Sequence, residues 1–335
     1  MIKKIAAAFV TAAILAGSSL AMSLNGAGAT FPYPIYSKWT SEFKKQTGIS
    51  INYQGIGSGG GIRQFTQGVV DFGGSDAPMT AVQMDQAGGD VLHIPTVTGA
   101  VAVTYNLPGV SSLKLDGETL ASIFSGRIKR WDDQQIEDLN PGVALPSRTI
   151  LVARRSDGSG TTHIFSSYLA KVSTAWASEM GAGSSLKWPV GVGGKGNAGV
   201  AGIVKTNEGS IGYVELSYAI TNSLPVVALK NRAGRFVVPS VASTTKAVDG
   251  MASRIPASLI ADLNNAPGAE SYPIVGMTWI LVHKNQKDAE KGKALVDFLS
   301  WAMKEGQTYA EGLLYAPLPK SLTARVQKAI DGIKY

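Results

Sequence analysis

The sequence predicts an α/β protein with parallel sheets covered by helices. Three observations point there. Short β-rich runs alternate with amphipathic segments along most of the chain. Glycine is abundant, at 39 of 335 residues with 15 prolines, which favours many tight turns over a helical bundle. The apolar fraction is 44% and the charged fraction 16%, which excludes disorder.

Met1–Lys4 carries two lysines, Ile5–Ala16 is apolar and uncharged, and Ser19 and Ala21 stand in the spacing of a cleavage site. Residues 1–21 are therefore expected to be a signal peptide. The apolar run, about 12 residues, is too short to span a bilayer, which takes about 20. There is no cysteine, so neither a disulfide nor a cysteine-linked lipid anchor is available. Export then implies the periplasm.

From there Ile35, Trp39 and Phe43 recur every fourth residue and predict a helix that Gly48 ends. Ile49–Tyr53 predicts a strand. The glycine run Gly55–Gly61 predicts a loop, followed by a short helix through Gln67 and a strand over Val69–Phe72. Val97–Tyr105 predicts a buried strand. Lys114–Phe124 and Gln134–Leu139 predict short helices. Thr149–Ala153 predicts a strand leading into a helix from near Thr161 to Lys171. Gly193–Asn197 predicts a loop. Ile211–Val214 and Met277–His283 predict strands, and Ala289–Glu305 an amphipathic helix. Roughly 314 residues follow the leader, more than a typical single core holds, so two lobes are expected.

The formal charge is +7, or +5 without Lys3 and Lys4. Nucleic acid, a membrane surface and a small anion are the partners such a balance admits. Positive residues are scattered with no run longer than two, and export removes the chain from nucleic acid. A small anion remains. Three segments fit one: Gly28-Ala29-Thr30-Phe31, Gly57-Ser58-Gly59-Gly60-Gly61 and Asp157-Gly158-Ser159-Gly160-Thr161. Each places small residues just before a helix start. There, free N–H groups and a partial positive charge await an anion. The other reading of any one of them is an ordinary helix cap.

Arg155 supplies a guanidinium beside the third segment, unless Arg154-Arg155 is merely a solvated basic pair. Asp76, in Gly74-Ser75-Asp76-Ala77-Pro78, is the unexpected member. A carboxylate repels anions but accepts a hydrogen bond from a protonated one. It would admit phosphate, which keeps a proton at neutral pH, and reject sulfate, which has none. The plainer alternative is a cap on the turn before Pro78.

The runs GAGATFPYPIY, YQGIGSGGG, DFGGSDAP, RRSDGSGTT and GGKGN, in that order, resemble the periplasmic phosphate-binding proteins of the bacterial phosphate ABC transporter. The resemblance covers essentially the whole chain after the leader. It implies a two-lobed periplasmic-binding (type II) fold with the ligand in the interlobe cleft. Residues 24–101 plus 273–335 would form one lobe and 102–272 the other. It assigns phosphate binding to Thr30, Phe31, Ser58, Asp76, Arg155, Ser159, Gly160 and Thr161, with Asp157 holding and partly neutralising Arg155. One departure stands in the glycine loop, where many members have Ser-Ser and this chain has Ser58-Gly59. The resemblance also implies no metal or cofactor, and a monomer that delivers phosphate to membrane permease subunits.

Other oxyanions are the nearest alternatives: arsenate, which shares the protons of phosphate, then sulfate and molybdate. An enzyme is the competing class. A phosphoester hydrolase would use Ser159 as nucleophile and His163 as base. Yet Gly158 and Gly160 disfavour the helix that would align the two. The three histidines show no metal-ligand spacing, and Gly196 after Lys195 breaks the nucleotide phosphate-loop pattern.

Overall fold

The structure is a computed structural model that describes residues 22–335. The expected leader, residues 1–21, lies outside the described residues. In chain order the strands are β1 (Ser23–Gly28), β2 (Ser50–Gly55), β3 (Phe72–Ser75), β4 (Val91–Asn106), β5 (Lys114–Leu115), β6 (Leu151–Arg155), β7 (Val192–Gly194), β8 (Ser210–Glu215), β9 (Ala228–Lys230), β10 (Phe236–Val237) and β11 (Val275–His283). Eight of them form one curled sheet in the order β2-β1-β3-β11-β4-β8-β6-β7, and β10-β9-β5 form a small second sheet.

The sheet is mixed, which corrects the parallel expectation. β1 runs parallel to β2 and β3, and β6 parallel to β7 and β8. The central strands β11 and β4 are antiparallel to their neighbours. The long strand β4 explains how one sheet serves two lobes. Its first part, through Ala100, pairs with β11, and its second part, from Val101, pairs with β8. A strand that changes partner midway carries the chain from one lobe to the other without a break in the backbone ladder. Its residues from His93 to Tyr105 are buried, consistent with helices covering both faces.

The helix Tyr33–Thr47 forms where the sequence placed it. Pro34 sits in its first turn, Gly48 closes it in the left-handed conformation, and Ile35, Tyr36, Trp39 and Phe43 face the core. The Trp39 Nε1 donates to the Gly306 carbonyl at 2.7 Å, tying the helix to the far C-terminal segment.

Other boundaries moved. The strand expected over Val69–Phe72 begins only at Phe72, because Gly68 turns the chain in the left-handed region and Val69 is exposed. The Lys114–Phe124 segment splits into β5 and a helix from Gly117 capped by Asp116. Gly193–Asn197 is the end of β7 running into the helix Gly196–Thr206. Ser58–Gly61, read as loop, is the first turn of the helix Ser58–Thr66. A Cβ at Gly61 would lie 2.4 Å from the Gly28 Cα, so glycine there lets the helix lie directly on β1.

Trp39→Ala is expected to destabilise the protein by about 3–5 kcal/mol, because it opens a large cavity and strands the Gly306 carbonyl. Urea denaturation followed by circular dichroism measures this.

Candidate functional site

The site lies at the carboxyl ends of β1, β3 and β6, the crevice that open α/β sheets offer to ligands. Each strand delivers one segment. β1 leads to Thr30 and Phe31, β3 ends beside Asp76, and β6 ends at Arg155. Helices starting at Tyr33, Ser58, Gly160 and Gly196 begin around the same crevice.

Ser58 opens its helix from Gly57, which has φ 88°. A Cβ on Gly57 would sit 2.2 Å from the Asp157 Oδ2, so only glycine lets the two lobes approach here. The Ser58 Oγ accepts from the backbone N–H of Asp76 at 3.2 Å and of Gly160 at 3.0 Å. Gly160 is on the opposite side of the crevice, and Gly59 N–H also crosses it to the Gly158 carbonyl at 2.9 Å. With both accepting positions filled, the Ser58 hydroxyl hydrogen is left to donate, and the Asp76 Oδ2 lies within its reach at 3.5 Å.

Asp76 is 2% exposed. Its Oδ1 accepts from the Thr278 hydroxyl at 2.8 Å, and its Oδ2 lies 3.5 Å from the Ser58 Oγ. Burial pushes its carboxyl up to about 7, although Thr278, Arg155 and Ser58 all pull the other way. Thr278 reaches Asp76 because β11 runs antiparallel to β3 with Trp279 opposite Ser75, which sets Thr278 across from Asp76.

Arg155 is 3% exposed and is not a solvated basic residue. Its Nε donates to the Asp157 Oδ1 at 2.8 Å and its Nη2 to the Asp157 Oδ2 at 2.5 Å, a bidentate fork. Its Nη1 lies 3.3 Å from the Thr161 Oγ1. Burial alone would raise the Asp157 carboxyl, but the hydrogen bonds and charge of Arg155 and the Gly196 N–H hold it below the ordinary carboxylate range. Ser159, fully buried, caps the helix Gly160–Val172 by accepting from the Thr162 N–H at 3.0 Å.

The sequence-derived residues thus meet around one crevice, with Thr30, Ser58 and Asp76 facing Arg155, Gly160 and Thr161. Sequence reasoning missed the residue that joins the two sides. Asn197 is fully buried and donates through Nδ2 to the Thr30 Oγ1 at 2.9 Å and to the Thr161 Oγ1 at 3.3 Å. Its backbone N–H also reaches Thr30. The Gly196-Asn197 pair was visible as a motif but carried no role. Thr278 gave no signal in the sequence, since a threonine in a β-strand is ordinary.

The Ser159–His163 pair of the enzyme reading is not assembled. The Ser159 oxygen accepts the cap hydrogen bond from the Thr162 N–H, and His163 lines a cavity of about 120 Å³ with Asn264 and Trp279 that reaches Asp76. Among the described residues, no group of three or more His, Cys, Asp and Glu is placed to hold a metal ion.

Comparison with known proteins fits this geometry. Residues 16–305 match the family model for the PBP superfamily domain. The chain is 46% identical over 309 residues to a phosphate-binding protein PstS of Pasteurella multocida, covering 92% of this chain and 89% of that one. The chain belongs to the PstS family. Another member, from Haemophilus influenzae, is 43% identical with 92% of each chain covered. Among solved structures, a high-affinity periplasmic phosphate-binding protein bound with phosphate superposes with a TM-score of 0.72 at 24% identity, covering 94% of this chain and 99% of that one. A phosphate-binding protein from Stenotrophomonas maltophilia gives 0.71 at 20% identity, covering 92% and 94%. Both place this PstS-family chain in the two-lobed fold.

The raised Asp76 carboxyl has a thermodynamic consequence. The folded protein holds this proton more tightly than the unfolded chain, so unliganded stability falls as pH rises from about 4 to about 7 and levels above. Asp76→Asn removes that slope. Its stability relative to wild type should climb across the same window, by roughly 4 kcal/mol at most. Denaturant titrations at several pH values without phosphate test it.

Proposed function

We propose that this chain captures inorganic phosphate between its two lobes and delivers it to the membrane permease of an ABC importer. The observation that carries the reading is the composition of the crevice: convergent backbone N–H groups and hydroxyls, one guanidinium, and one buried carboxyl able to accept a proton. Thr30, Phe31, Ser58, Arg155, Ser159 and Thr161 donate to the oxygens, Gly160 borders the ligand with its N–H on the Ser58 hydroxyl until phosphate draws it away, and Asp76 accepts the phosphate O–H. Asp157 orients the Arg155 fork. The phosphate named for the PstS relatives supports the same ligand.

The lobes divide at 24–101 plus 273–335 and at 102–272. The partner change of β4 between Ala100 and Val101 supports that division. Among the described residues no helix is long and apolar enough to cross a membrane. The leader ending near Ala21 directs the chain to the periplasm, where it acts as a monomer and not as an enzyme.

Calorimetry on the protein without residues 1–21 is expected to show tight binding of phosphate and arsenate and none of sulfate. Sulfate binding as tight as phosphate binding would refute the role of Asp76. Asp76→Asn should narrow the gap between phosphate and sulfate by at least about tenfold, since the repulsion that excludes sulfate is gone.

Arg155→Met keeps the stem and removes the fork. It should weaken phosphate by about 100-fold or more, because the charge-assisted hydrogen bonds are lost and Asp157 is left unpaired. A chromogenic phosphoester should remain intact under the same conditions; turnover abolished by Ser159→Ala would favour the hydrolase instead.

A further inference from the structure

Glu215 is the last residue of β8 and is fully buried, yet the phosphate site does not use it. It pairs across the sheet with Val101, at the point where β4 passes from one lobe to the other. Its Oε2 accepts from the Ser217 N–H at 3.0 Å and sits in very close contact with the Ser217 hydroxyl. The same oxygen lies 3.2 Å from the Tyr315 hydroxyl, which belongs to the other lobe. Its Oε1 is buried without a partner.

Proton counting decides what this contact is. Tyr315 has one hydroxyl hydrogen, and the 2.6 Å bond to the Phe31 carbonyl claims it. The Tyr315 oxygen then faces Glu215 as a lone-pair acceptor. That contact attracts only if the carboxyl carries the proton. An ionised carboxylate there would add a charge to an interior that offers Oε1 no donor.

The chain of contacts ends on the site. The Phe31 carbonyl belongs to the Thr30–Phe31 segment. The second lobe grips that segment twice more, through Tyr218 OH to the Thr30 carbonyl at 2.6 Å and through Asn197 to the Thr30 Oγ1. The Asn197 Oδ1 in turn accepts from the Glu215 N–H at 3.0 Å. Glu215 therefore touches Tyr315, which holds the Phe31 carbonyl, and Asn197, which holds the Thr30 hydroxyl.

We propose that the Glu215 side chain is a positioning group that couples approach of the second lobe to the placement of the Thr30–Phe31 segment, acting through Tyr315 as a neutral acid. The inference rests on the phosphate-binding reading above and adds a proton-controlled latch to it. Burial pushes the carboxyl up to about 8, the Ser217 donors pull it down, and the Asp76 charge raises it further. The other titratable groups facing it are the hydroxyls of Tyr315 and Tyr218, both pushed up by burial and by Glu215 itself.

The sign follows from which form holds the proton. Separating the lobes removes the Tyr315 contact and admits water, so the open form has the lower carboxyl pKa. The closed form binds the proton more tightly, and closure weakens as pH rises towards about 8, then levels.

The test compares phosphate Kd for wild type and Glu215→Gln from about pH 6 to about pH 9. Phosphate titrates alike in both proteins, and repeating the comparison in the Asp76→Asn background removes the Asp76 titration, so the pH-dependent ratio of the two Kd values isolates Glu215. The ratio of wild type to variant should rise by at least about fivefold up to about pH 8 and then flatten. A rise of less than about threefold overturns the latch.

Tyr315→Phe keeps the ring and removes only the hydroxyl. It should weaken phosphate at neutral pH by about threefold or more. An unchanged Kd in that variant also overturns the proposal, and it decides the matter if Glu215→Gln does not fold. Failure of wild type to bind phosphate at any pH would instead sink the functional reading on which the latch depends.

Discussion

The crevice is built around a guanidinium whose charge is already spent. Arg155 is buried and forked onto Asp157, so the pair presents no net charge to a ligand. Asp76 adds no positive charge, so the three ionisable groups give no net attraction to an anion. An anion entering this space must be held chiefly by hydrogen-bond donors and helix dipoles, which are fixed in place by the fold and need no reorganisation. Such donors are effective only where water is excluded and each is aimed at the same point. That requirement accounts for the glycines at the lobe interface, the hydroxyls with filled acceptor positions and the helices that begin around the crevice.

A neutral frame also makes selectivity a matter of protons. Asp76 and Glu215 are both buried carboxyls with raised affinity for hydrogen, and the Asp76 charge raises Glu215 further. One faces the ligand and the other faces the hinge. The same low-dielectric interior that strengthens the donors makes any unbalanced negative charge expensive, whether it belongs to the protein or to the wrong anion. Ligand choice and lobe closure therefore depend on a common property of the interior.

The strand β4 provides the mechanical counterpart. Its first half pairs with β11 and its second with β8, while the buried apolar residues form one continuous core. Thr30, Ser58 and Asp76 are carried by one lobe and Asn197, Tyr218 and Arg155 by the other.

Much of this was legible in the chain itself. The helix bearing Trp39 followed from a four-residue apolar period, and the three glycine-bearing segments from the chemistry of helix starts, because both are local properties. The sequence by itself determined which residues carry donors, which carries the guanidinium and which carboxyl is out of place beside them. Only the tertiary structure decided the antiparallel placing of β11 between β3 and β4. It also decided the role of Thr278 across from Asp76, and the bridging by Asn197 and Glu215. These depend on partners 167 residues away for Asn197 to Thr30 and 100 residues away for Glu215 to Tyr315. A buried asparagine or glutamate leaves no periodic trace in its neighbours. Its meaning appears only when another segment supplies the atom it must pair with.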